Sequence, residues 1–195
     1  MGNIRIWIWR LLILIGLGGV VFSLTHMWWS ADLEALRIYD AVIIKPWALD
    51  LSNVIDYKEY FAGAEDALPA IFEPGMWLYT GLLILCLVVG LIFNKKNIHL
   101  FGRNFNLSRW LVGIGGFSYI VVFVSFYLVA SAKSAAFGLP SLVGRYYLSA
   151  GTGAESSWVN AELQIGSMVA LGTGIFLLII AIIRPLITGR NKEIS

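Results

Sequence analysis

Residues 76–93 read MWLYTGLLILCLVVGLIF, a run without a single charged side chain. As a helix, such a run is about long enough to cross the roughly 30 Å hydrocarbon core of a bilayer, which needs ~20 apolar residues. Three further segments share this character: 10–29 (RLLILIGLGGVVFSLTHMWW), 110–132 and 163–183. Trp28 and Trp29, Trp77 and Tyr79, Arg109 and Trp110, and Arg184 stand at their ends. Aromatic rings and snorkelling cations favour the headgroup region, so these residues mark the ends of the spans. The expected fold is an all-α integral membrane protein, a single domain over 1–195 with four transmembrane helices.

Composition supports this reading. Hydrophobic residues make up 58% of the chain and charged residues 13%, against about 25% charged in soluble globular proteins. A soluble enzyme, a disordered tail and a secreted disulfide scaffold are excluded. The net charge of +2 argues against nucleic-acid binding. Cys86 is the only cysteine, so no intramolecular disulfide forms. Arg5 and Arg10 ahead of LLILIGLGGVVFSL resemble the start of a signal peptide, but the apolar run continues to Trp29 and no convincing small-x-small cleavage site follows it. A retained first span is expected, with IRIWIWR at the inner interface.

The charges between spans sort by sign. Arg5 and Arg10 precede the first span, and Lys95, Lys96, Arg103 and Arg109 fill the second connection without an acid. Arg184, Arg190 and Lys192 follow the fourth span, against Glu193. Segment 30–73 carries nine acids, including Asp32, Glu34, Asp40 and Asp50, and only Arg37, Lys45 and Lys58. The positive-inside rule then places both termini and residues 94–109 in the cytoplasm, with 30–73 and 133–162 outside, in a multi-pass protein of the cell membrane.

Segment 30–73 is too long to lack structure of its own. Ser30 as a cap, followed by Leu33, Leu36, Tyr39 and Ile43 at helical spacing, predicts a helix that Pro46 ends. Further short helices are expected over Val54–Phe61 and around Asp66–Phe72, giving a small helical extracytoplasmic cap. Glu73, Pro74 and Gly75 suit the first turn of span two. In the second outer loop, 133–162, glycines and Pro140 break the chain, and Ser157 is expected to cap the fourth span. Tyr146, Tyr147 and Trp158 are expected to pack on the membrane surface or on the first loop.

The search for chemistry is largely negative. No ionisable group stands in the middle of a span, which argues against a self-contained pump, carrier or voltage sensor. Ser118, Tyr119, Ser125 and Tyr127 are the main intramembrane polar groups, read as interhelical hydrogen-bonding residues. His26 and His99 fall on opposite sides of the bilayer and cannot share a haem. His26, beside Met27 and near Asp32 and Glu34, is the candidate metal ligand. Adjacent helical side chains diverge by about 100°, however, so no metal site and no cofactor are expected. The outer acids form no calcium-loop run, there is no Cys-x-x-Cys, and no Gly-x-Ser-x-Gly or His-Glu-x-x-His occurs.

Helix contacts are better supported. Gly166, Ala170 and Gly174 place a small residue at every fourth position of span four, and Gly19 and Ser23 repeat the spacing in span one. Such faces let backbones approach closely, either within the bundle or against a neighbouring subunit. Gly16-Leu17-Gly18-Gly19 also echoes Gly113-Ile114-Gly115-Gly116, read as parallel use of glycine at helix contacts. The four-span plan with a large first outer loop is similar to that of tetraspan proteins such as claudins in topology only. The Trp-x-Gly-Leu-Trp run with paired cysteines is absent, so no family is assigned.

The function expected from these features is a non-catalytic subunit of a larger membrane complex, such as a respiratory or metal-dependent oxidoreductase assembly. Its partners are then other integral membrane subunits and the lipid bilayer. A carrier or quinone- or lipid-binding protein, with Trp28, Trp29, Trp77 and Tyr79 lining a pocket, is the second reading. An outer-face receptor or adhesion module is the third.

Overall fold

The computed structural model describes residues 2–34, 37–53, 71–100, 103–137, 139–148 and 157–188. Four helices are long and apolar enough to cross a membrane: α1 (Gly2–Thr25), α2 (Phe72–Ile92), α3 (Leu107–Lys133) and α4 (Ile165–Thr188). Between their ends the large exposed side chains are mostly apolar, among them Leu11, Leu82, Phe117 and Ile182, as suits helices facing hydrocarbon.

Span boundaries differ from the sequence reading chiefly at α1. The helix takes in IRIWIWR at its start and stops at Thr25, and Trp29 already belongs to a strand. Hydropathy registers that a segment is apolar, not whether a buried tryptophan is helical. At α2, Pro74 sits in the first turn, where its missing N–H is not needed. Asn106 caps α3, its Oδ1 accepting the Arg109 N–H at 3.2 Å.

The chain divides into two compact units. The first comprises Met1–Phe22, Tyr79–Val122 and Val169–Ser195, and it is built around α4. That helix is 44% buried over its most apolar window, against 22–28% for the others. Glycines determine how closely the neighbours approach. A Cβ on Gly16 would strike the Leu177 side chain, and one on Gly19 the Thr173 side chain. On α3, a Cβ at Gly116 would lie 2.8 Å from Gly174 O and 2.7 Å from Leu178 N, inside the usual contact distance of about 3.5–4.0 Å. Gly113 faces Ala181. The two glycine echoes thus perform the same task, each placing its first and last glycine against α4. Their middle glycines differ: Gly115 meets Leu83 of α2, and Gly18 faces open space. This unit also contains a two-stranded hairpin, β4 (Asn97–Leu100) with β5 (Arg103–Asn106).

The second unit comprises Ser23–Leu78 and Phe123–Met168, and it corrects the all-α expectation. It contains a five-stranded antiparallel sheet in the order β3-β2-β1-β7-β6. The strands are β1 (Trp29–Leu33), β2 (Ile38–Ile44), β3 (Leu49–Asp50), β6 (Gly144–Leu148) and β7 (Ser157–Leu163). The helix expected from Ser30 onward is therefore two strands. The helical spacing of Leu33, Tyr39 and Ile43 is real but competes with a period of two. Trp29, Ala31 and Leu33 turn inward and are fully buried, as are Val42 and Ile44 of β2. Val42-Ile43-Ile44 is β-branched, which favours an extended chain. The deciding partner is distant in sequence: Ala31 pairs with Ala161 and Leu33 with Val159. Ser157 likewise begins β7 rather than capping α4. The helices expected over Val54–Phe61 and most of Asp66–Phe72 lie outside the described residues.

The sheet core joins Trp29, Ala31, Leu33, Val42, Ile44, Val159 and Ala161 to Ala130 of α3 and to Leu139 and Leu142. Trp29 Nε1 donates to Leu142 O at 2.6 Å and Trp28 Nε1 to Ser23 O at 3.0 Å, so both indoles are buried with their polar atoms satisfied. Trp28 also meets Phe126 edge-on at 5.1 Å. Both tryptophans are core residues, not membrane-interface anchors.

Candidate functional site

Inward residues of the sheet form its core; the alternate residues create a second, open face. Asp32 of β1 lies opposite Asn160 of β7, which lies opposite Arg145 of β6. One step along, Trp158 lies opposite Tyr147. Because side chains alternate along a strand, these residues share the face turned away from Val159 and Ala161. Toward its β6 edge Tyr147 and Trp158 meet as a T-shaped pair with centroids 5.3 Å apart. The Arg145 guanidinium lies 5.0 Å from the Trp158 ring centroid and also pairs with Glu34. Cation–π and ion-pair contacts thus hold one arginine from two sides.

Both aromatic rings remain open: Tyr147 is 57% exposed and Trp158 46%. Tyr39, on β2, is 74% exposed. Among the described strands β6 ends the sheet, so one side of its backbone has no strand beside it. Gly144 opens β6 at φ 145°, a conformation that strains any residue with a Cβ, and the Tyr146 phenol occupies the space a side chain would need. That phenol donates to Val143 O at 2.6 Å and also bonds to Ser141 Oγ. The turn leading into the edge strand is therefore tied down.

The acidic part of the face centres on Asp32. The ladder slips between Ala31 and Leu33, and Asp40 at φ 51° turns its N–H toward Asp32 Oδ1 at 2.6 Å. Aspartate tolerates this left-handed backbone better than most residues. Burial raises the Asp32 carboxyl above its ordinary value, the Asp40 N–H partly offsets this, and the charges of Asp40, Glu162 and Glu34 add to the rise. Gln164 Nε2 donates to Ser30 Oγ at 2.8 Å and Glu162 Oε1 at 3.2 Å, which completes the polar pairing near the start of α4.

The residues singled out in the sequence fall elsewhere. His26 ends up beyond α1, its Nδ1 3.1 Å from Thr25 Oγ1. Among the described residues, no three His, Cys, Asp or Glu side chains converge as a metal site would require. Gly166 packs against Met27 O and His26 O, Ala170 is fully buried, and Gly174 faces Gly116 O and Ile120. Gly19 meets Thr173, and Ser23 is buried beneath Trp28. The contacts of this small-residue set therefore run within the chain.

The four aromatics expected to line a pocket make other contacts. Trp28 and Trp29 are core, Trp77 stacks on Trp47 at 5.0 Å, and Tyr79 Oη bonds Ser118 Oγ at 3.1 Å. Of the second-loop aromatics, Trp158 reaches the first loop: its backbone O accepts the Glu34 N–H at 2.9 Å. The role of Arg145 was not visible in the sequence. The alternation in Ser-Trp-Val-Asn-Ala-Glu-Leu (157–163) is the signal that would have found the face. No protein-family model, curated protein or solved structure matches this chain.

Proposed function

We propose that this chain is a non-catalytic integral membrane subunit whose sheet face docks a partner within a larger membrane complex. The observation that carries the reading is the open Tyr147–Trp158–Arg145 cluster beside the end strand of the sheet. Tyrosine, tryptophan and arginine dominate the energetics of protein interfaces because each offers a large, stiff contact area together with a polar tip. A held arginine loses little freedom on docking, and an edge strand offers backbone groups to an incoming segment. We place the sheet outside and residues 94–109 in the cytoplasm of a cell-membrane protein, on the strength of the charge distribution.

The test is native electrophoresis of mild-detergent extracts. The wild-type chain should migrate with companions, and Tyr147→Ala combined with Trp158→Ala should release them, since hot-spot truncations each cost about 2 kcal/mol or more. A wild-type chain that runs alone, or companions retained by the double variant, would refute the docking role of this face.

A further inference from the structure

In the first unit, α3 and α4 frame an apolar groove of about 440 Å³. Gly113, Ile114, Phe117, Leu178 and Ile182 line it, and Arg109 stands at its end. Gly113 deepens the groove, having no side chain to fill it. Ile114, Phe117 and Ile182 are each at least half exposed, so the groove opens sideways toward hydrocarbon. Arg109 is the third residue of α3, and Trp110, half exposed, is beside it; the mouth therefore lies where a span meets the headgroups.

The arginine is held in place. Arg109 Nε donates to Ala181 O at 3.0 Å, which fixes the guanidinium over the groove and leaves its outer edge exposed. Arg184, three residues after Ala181, is turned elsewhere: its Nη2 donates to Asn94 O at 2.6 Å and its guanidinium sits 5.3 Å from the Trp9 ring. Trp9 in turn donates to Ser108 Oγ at 2.9 Å. Among the described residues of this unit, no carboxylate is present to balance these two arginines. Segments 1–22, 79–122 and 169–188 hold Arg5, Arg10, Lys95, Lys96, Arg103, Arg109 and Arg184 and not one Asp or Glu.

We propose that the groove holds one anionic phospholipid, with an acyl chain along Gly113, Ile114 and Phe117 and its phosphate on Arg109. The apolar floor suits hydrocarbon, the fixed guanidinium suits a phosphate, and the described residues of the unit offer no carboxylate to pair with it. A volume of 440 Å³ lies within the roughly 300–1,000 Å³ of small-molecule sites.

The experiment is lipid retention by the purified whole chain in mild detergent, read by native mass spectrometry. Phosphatidylglycerol and phosphatidylcholine are offered separately. Phosphatidylglycerol should be retained as a single adduct, about tenfold better than phosphatidylcholine, as one charge-assisted contact allows. Arg109→Gln should abolish that preference and Arg109→Lys should keep part of it, while Lys95→Gln, outside the groove, should leave it unchanged. Millimolar inorganic phosphate should not displace the lipid, because it gains nothing from the apolar floor. Equal retention of the two lipids by the wild type, a preference surviving Arg109→Gln, or displacement by phosphate alone would each overturn the proposal. If Arg109→Gln fails to fold, the wild-type comparison of the two lipids decides.

Discussion

The helical unit and the sheet unit handle charge and glycine in opposite ways. Eleven of the twelve acids lie in residues 23–78 and 123–168, while nine of the fourteen lysines and arginines lie in the rest of the chain. In the helical unit, glycine permits backbone contact: Gly116 and Gly174 bring α3 and α4 together where a hydrophobic drive between helices is absent in lipid. In the sheet unit, Gly144 instead provides a backbone angle that opens a strand. The helical unit therefore depends on the absence of side-chain volume. The sheet unit depends on its presence, above all on buried tryptophan. Substitutions that add or remove bulk should separate the two.

The largest effect is expected from Trp29→Ala. The side chain is fully buried and its Nε1 satisfies Leu142 O, so the change removes a large apolar contact and leaves a buried acceptor unpaired. A loss of about 3–5 kcal/mol is expected for such a truncation. Hydrogen exchange in detergent should show β1, β2 and β7 unprotected while the amides of residues 80–120 keep their protection. Simultaneous loss in both regions would mean that the units unfold as one, and the contrast between them would fall.

Gly116→Leu should have the next largest effect. Its side chain would enter the α4 backbone, and overpacking costs about 1–3 kcal/mol. Gly18→Leu adds the same bulk where nothing lies within reach and should leave thermal unfolding within about 0.5 kcal/mol of wild type. Equal effects at the two sites would show that close approach to α4 is not what holds this unit together.

The smallest effect concerns pH. Hydrogen bonds from the Ser52 side chain and N–H, and the Lys45 ammonium at 3.1 Å, lower the Asp50 carboxyl to about 2. A carboxyl lowered on folding stabilises the fold above its unfolded value near 4, and that contribution is lost as pH falls toward 2. The pair is partly open to solvent, so less than about 1 kcal/mol is at stake. Asp32 has the opposite sign: its carboxyl is raised, so protonation favours the folded state on acidification. Asp50→Asn should flatten the loss of sheet stability between pH 4 and 2, measured by denaturant titration at each pH. An unchanged slope would remove Asp50 from the account.

Much of the helical unit was legible because its signal is local. A run such as 76–93 identifies itself residue by residue, since each apolar side chain independently prefers hydrocarbon to water. The two glycine motifs at 16–19 and 113–116 were likewise visible, although not that α4 was their common target. The sheet escaped for the opposite reason. Its strands are short, and their apolar residues satisfy both a helical and an alternating reading, so nothing local decides between the two. What decides is the pairing of 29–33 with 159–163, a contact between segments more than a hundred residues apart. The open aromatic face depends on the same pairing. Trp158, Tyr147 and Arg145 become neighbours only when β6 and β7 are in register.

By itself the sequence determined that four segments are apolar enough to span a membrane and that acids and bases separate along the chain. Both are sums of single-residue solvation preferences and need no partner to be read. Tertiary structure alone decided that the tryptophans at 28 and 29 are core rather than interface. It also decided that 29–33 and 38–44 are strands, and that Arg109 is fixed over a groove by Ala181 O while Arg145 is fixed over a ring. Each of these depends on which distant atom accepts a hydrogen bond or fills a space, and that energy exists only once the chain has closed on itself.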